Sequence, residues 1–149
     1  MMIQSLQSLF TRDLNKLKTE IESYKNEKVI WEIDKNILNS AGNLSLHLVG
    51  NINHFIGSIL GNSGYIRNRE LEFSLKNVPK SELIQKIENT IEVVNSSLEK
   101  LSAEDIEKVY PIEPLRYTMT TGYFLIHLIG HLEYHLGQIN YHRRLLDLG

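Results

Sequence analysis

The chain has 149 residues, enough for one compact domain spanning 1–149 and too few for two of ordinary size. Hydrophobic residues make up 42% and charged residues 23%, a globular composition that argues against extended disorder. There is no cysteine, which excludes disulfides, thiolate metal sites and a cysteine nucleophile, and a net charge of −2 leaves no basic footprint for nucleic acid.

Four long segments carry helical periodicity. In the first, Ile3, Leu6, Phe10, Leu14, Leu17, Ile21 and Tyr24 recur at steps of three and four, with charges on the other faces. The opening stretch lacks the apolar core of a secretory signal, and no segment approaches the roughly 18 apolar residues of a membrane span. The expectation is therefore a soluble cytoplasmic protein without a membrane partner. Lys28–Ile33 alternates enough to suggest a short extended piece. The second helix is expected from about Ser40 to Leu60, with Leu44, Leu48, Ile52, Phe55 and Ile59 as its seam. The third begins after Pro79, with Ser81 as the expected N-cap, and carries Leu83, Ile87, Ile91, Val94, Leu98 and Leu101. The fourth starts near 118–121 and runs to about Leu146, with Leu125, Leu128, Leu132, Leu136 and Ile139 in line. Four amphipathic helices without alternating strands make an all-α four-helix bundle the economical fold. The links 61–79 and 102–117 are long enough for a helix order other than up-down-up-down. Trp31 and Tyr24 read as core anchors, and Arg143 and Arg144 suit the C-terminal end of the last helix.

All six histidines fall in the second and fourth helices: His47 and His54, then His127, His131, His135 and His142. In each helix a polar series runs one residue ahead of the apolar seam. His47, Asn51, His54 and Ser58 form one stripe; His127, His131, His135, Gln138 and His142 form the other. Neighbours three and four apart make each stripe continuous, so two facing stripes would line a groove with imidazoles. A divalent ion satisfies such a cluster by taking the lone pairs while the opposite ring nitrogens donate outward. Histidines four apart converge on one ion, whereas those eight apart are separated by a rise of about 12 Å. Two ligands from the fourth helix and one from the second leave an open coordination position, the pattern of catalytic sites. Spacing alone leaves open whether His127–His131 or His131–His135 is the pair. Glu133 does not follow the first histidine as the zincin HExxH motif requires, and it points away from His131 and His135. No Glu-x-x-His occurs for a ferritin-like di-iron site. Neutral imidazoles suit zinc or nickel better than magnesium or calcium. For His54 and His142 the ordinary reading is a partly exposed histidine bonded to water, a carbonyl or a neighbour.

The strings LHLVGNINHFIG (46–57), GYIRNRELEF (64–73) and HLIGHLEYHLGQINYHRRLL (127–146) resemble the DinB-like superfamily, in its uncharacterised small bacterial branch. The most specific part is the HxxxHxGQ-type signature read from His131 through His135 to Gln138. The resemblance covers essentially the whole chain and implies a four-helix bundle with up-down-down-up connectivity, commonly as a homodimer. It implies a metal triad of His47, His131 and His135, with His127 one turn outside. It also implies a metal-dependent transferase or hydrolase acting on a small molecule, in several members a low-molecular-weight thiol. The alternative is a non-catalytic, stress-related dimer that binds metal or ligand. Asn51 and Gln138 are expected to support the ligands or touch substrate. Arg67 and Arg69 are candidates for an anionic substrate group at the groove mouth.

Overall fold

The computed structural model describes residues 1–149 and is all-helical, with one isolated β-bridge between Val109 and Thr120. In chain order the helices are α1 (Met2–Glu22), α2 (Ala41–Ile52), α3 (Arg69–Ser74), α4 (Lys80–Leu98), α5 (Ala103–Glu107) and α6 (Thr121–Leu146). Four are long; α3 and α5 lie within the two long links. No helix is long and apolar enough to cross a membrane.

Helix starts follow local chemistry. Ser40 caps α2 by accepting from the Asn43 N–H, Thr120 caps α6 by accepting from Tyr123, and Ser102 with Asp105 forms a reciprocal capping box on α5. Ser81, expected as the cap of α4, instead lies inside its first turn. Pro79 takes the N-cap position without a side-chain bond, and the Glu27 carboxylate accepts from the Lys80 N–H from outside the helix. Residues 28–33 also depart from expectation. Glu27–Trp31 is a 3-10 turn capped by Asn26, and consecutive Val29, Ile30 and Trp31 are all buried, which an alternating strand would not allow. This turn lays the Trp31 ring across Gly42 of α2, where a Cβ would sit 2.6 Å from ring atoms.

The α-helical part of the second segment stops at Ile52, and Asn53–Ser58 continues as a π-helical turn. Asn53 donates its side-chain amide to the Val49 carbonyl and to Thr90 Oγ1 at this junction. All twelve residues of α2 are buried, so it is an interior helix and not the amphipathic one its seam suggested. The other three long helices keep one apolar face: Leu6, Phe10, Leu14, Leu17 and Ile21 on α1; Leu83, Ile87, Val94 and Leu98 on α4; Leu125, Leu128, Leu132 and Ile139 on α6. With the inner residues of α2 they form one continuous core.

Both α1 and α2 pack against α4 and α6. Paired residues give the directions. Gln7 meets Asn95, and Lys80 reaches the Glu22 carbonyl, so α1 runs antiparallel to α4. Arg12 meets Glu133, and Glu20 meets Arg143, so α1 runs parallel to α6. Asn53 meets Thr90, and Gly57 abuts Val93, so α2 and its π-turn run parallel to α4. His47 meets His135, while Phe55 meets Phe124, so α2 runs antiparallel to α6. The flank of α2 that carries His47 therefore faces the middle of α6.

Candidate metal centre

His47 sits in the middle of buried α2, and His131 and His135 lie one turn apart on α6. One ring nitrogen from each comes within 4.8 Å of the other two. His47 Nε2 and His131 Nε2 are 3.2 Å apart. Two nitrogens held about 2.0–2.1 Å from a tetrahedral zinc would lie about 3.4 Å apart, so this separation matches a shared ion. The three rings stand nearly perpendicular to one another, with interplanar angles of 74°, 88° and 88° and centroids 4.6–5.3 Å apart.

The partners of the outward nitrogens assign two of the tautomers, because an ionised carboxylate and an amide oxygen only accept; Arg67 Nη2 lies farther from His47 Nδ1, at 3.4 Å. His47 Nδ1–H donates to Glu72 Oε1 at 3.1 Å, leaving its Nε2 lone pair free. His135 Nδ1–H donates to Gln138 Oε1 at 2.7 Å, with the same result. His131 Nδ1 is buried and has no partner, and the other orphaned polar atom on this flank is Asn51 Oδ1.

Glu72 is the residue that sequence reasoning missed. It is only 5% exposed, although it comes from a link read as polar. Asn68 caps α3 by accepting from the Leu71 N–H, and Asn43 of α2 donates its side-chain amide to the Glu72 and Leu75 carbonyls. These bonds press α3 onto α2. Gly50 provides the seat, because a Cβ there would overlap the Glu72 carboxylate. The Phe73 ring then covers His47 at 4.9 Å. Leu71 is exposed and Phe73 only half-buried, so no periodicity marks Glu72 as interior. Its only sequence signal is an acid between two apolar residues in RELEF.

The electrostatics favour lone pairs over protons at His131 and His135. Burial lowers the His131 pKa to about 4, assisted by repulsion from His135 and His47, and burial also lowers His135. For Glu72 burial works upward, but hydrogen bonds from His47 and Arg67 outweigh it and hold the carboxyl below its usual range. Arg67 donates from Nε to Oε2 at 2.8 Å and from Nη2 to Oε1 at 2.9 Å. It is thus a clamp on Glu72, not the open anion site expected at a groove mouth.

The remaining candidates separate clearly. Gln138 is at the triad through His135. His127 is exposed and stacks on Phe124 at 5.7 Å, outside the cluster. Arg69 lies 5.2 Å over the Phe73 ring on the outer side of α3. His54 lies on the π-turn against Phe55, with its pKa lowered by burial and then by Arg67. His142, expected at a partly exposed position, is buried: Tyr24 hydroxyl lies 2.7 Å from Nδ1, and Nε2–H donates to the Glu32 carbonyl at 2.8 Å. Glu133 pairs with Arg12, away from the triad.

Residues 2–148 match a family described as a protein of unknown function (DUF1572). Among curated proteins there is no match.

Proposed function

The chain belongs to the DUF1572 family, which carries no assigned activity, and we propose that it is a divalent-metal protein of DinB-like type whose ligands are His47, His131 and His135. The observation that carries this reading is the meeting of three imidazole nitrogens from α2 and α6 within 4.8 Å. The donor set suits zinc or nickel. A bound ion of that kind would supply Lewis acidity, bringing the pKa of a coordinated water or thiol toward neutrality. Three protein ligands are the number that leaves a fourth position for such a molecule.

The surrounding residues then have defined tasks. Glu72 and Gln138 hold two ligand rings in the tautomer that presents Nε2. Both Glu72 oxygens are already taken by His47 and Arg67, which gives this carboxylate an orienting task and not a proton-transfer one. Asn51 Oδ1 and His131 Nδ1 are both buried without a partner, and Asn51 is the acceptor candidate on the same flank of α2 as His47. The chain has no cysteine, so a reacting thiol belongs to the substrate. Hydrolysis or thiol-dependent transfer on a small molecule is the reaction class. The helix directions support a single-domain, up-down-down-up four-helix bundle. A homodimer rests on the resemblance alone.

The test is metal analysis of protein purified without a histidine tag. Protein loaded with zinc or nickel is expected to hold one ion per chain with micromolar affinity or better. His47→Ala and His135→Ala should abolish uptake, while exposed His127→Ala should leave it intact. Equal loss in all three variants, or no uptake by the parent chain, contradicts the assignment.

A further inference from the structure

The solvent side of an amphipathic helix is ordinarily charged. The outer face of α6 instead carries Tyr123, Ile126, Tyr134, Tyr141 and Leu145, each between 51% and 65% exposed. At 3.6 residues per turn these five lie within a strip about 100° wide, and from 123 to 145 the strip is about 33 Å long. Gly130 and Gly137 fall in the same strip, and a Cβ at either would meet nothing within 4 Å. No contact within the chain requires a glycine there, although glycine is the poorest helix former after proline. The two glycines leave notches in an otherwise bulky ridge.

A strip of this length is too long for a small molecule and matches a second helix. Its pattern is nearly palindromic. Laid antiparallel across a two-fold axis between positions 133 and 134, Gly130 faces Gly137 of the second copy, and Ile126 faces its Tyr141. Tyr123 faces Arg144 of the second copy, a cation beside an aromatic ring. An isologous interface needs such self-complementarity, because one patch serves both sides. Tyr134 then enters the hole formed by positions 130, 133, 134 and 137 of the facing helix, over bare glycine backbone. Small residues at the crossing let the axes approach to about 8 Å. Glu133 beside the axis is already paired with Arg12 at 2.8 Å, so no uncompensated like charges meet. At roughly 200 Å² for each large side chain, the five residues offer on the order of 600 Å² of exposed surface. Exposed Arg144 and Leu148 extend the strip toward the roughly 800 Å² that each partner contributes to a standard interface.

We infer that this strip is the surface on which two copies of the chain pair, α6 antiparallel to α6, with Tyr134 and the two glycines at the centre. The pairing rests on the homodimer of the functional reading, adds its face and register, and needs no metal.

Sedimentation equilibrium of the full metal-free chain reads the association. Tyr134→Ala removes the central knob and is expected to weaken the dimer at least about thirtyfold. Gly137→Leu fills the notch and should weaken it as well, while circular dichroism shows helix content retained, since leucine is the better helix former. The chain has no cysteine, so single introduced thiols report the register. On oxidation, Tyr134→Cys should form a disulfide with its own copy across the axis. Ile126→Cys should not, its two copies lying about 22 Å apart along the helices, but it should cross-link to Tyr141→Cys when the two are mixed. A dimer whose affinity is unchanged in both Tyr134→Ala and Gly137→Leu, or Ile126→Cys that cross-links to itself, overturns this face and register and leaves the homodimer standing. A parent chain that stays monomeric refutes the homodimer and this pairing together, and leaves the metal reading untouched.

Discussion

Glu72 controls the geometry of His47 more directly than any residue visible in the histidine pattern. Its carboxylate is one hydrogen bond from the ring, is clamped by Arg67 and rests where Gly50 leaves room. Loss of an outer partner of this kind costs about 10- to 100-fold in metal affinity. Glu72→Gln should fall at the low end of that range, since its amide oxygen still accepts from Nδ1–H, and Glu72→Ala at the high end. Gly50→Ala should resemble Glu72→Ala in competition titrations with a chromophoric chelator, although it removes no polar group. An unchanged affinity in Gly50→Ala would mean that the Glu72 contact does not position the ligand. The histidines themselves were legible because a polar residue recurring every three or four positions beside an apolar seam traces one continuous helix flank. His142 shows the limit of that signal. It belongs to the same stripe, yet it is taken up by Tyr24 and Glu32, contacts more than a hundred residues away in sequence.

At the scale of elements, α3 is a short helix whose position depends on α2. Asn43 holds two carbonyls, those of Glu72 and Leu75, and Asn43→Ala leaves both without those donors. At about 1 kcal/mol for each bond, with a further cost where a buried carbonyl stays unpaired, the expected destabilisation is about 2–3 kcal/mol. Denaturant unfolding checks that value, and a parallel drop in metal affinity would show that α3 carries Glu72 to the site. A stability loss below about 0.5 kcal/mol would contradict this anchoring. Long helices were readable from the 3.6-residue period, with ends correct to within a few residues. The misreadings at 28–33 and at the start of α4 share a cause. Trp31 on Gly42 and Glu27 at the Lys80 N–H are tertiary contacts that no local window contains. The interior status of α2 was hidden likewise, because Asn43 and His47 meet their partners on other elements.

For the whole molecule, the low pKa values of His131 and His135 link stability to pH. A histidine whose folded pKa lies below its unfolded value favours the neutral form, so its contribution is present above about pH 6.5 and is lost as pH falls toward the folded value. For His131, whose folded value is about 4, the loss spans pH 6.5 to 4. Metal-free protein should therefore unfold at lower denaturant concentration at pH 5 than at pH 7, and His131→Ala should reduce that difference. An identical difference in the variant would place the acid sensitivity elsewhere. A bound ion acts in the opposite sense. It stabilises the fold by mass action, raises Tm with metal concentration, and loses that gain on chelation. The most direct test is a crystal of the zinc- or nickel-loaded protein with anomalous data collected at the metal edge. The account predicts a single peak about 2.0–2.1 Å from the Nε2 atoms of His47, His131 and His135. A peak bound elsewhere, or one that excludes His47, would contradict it.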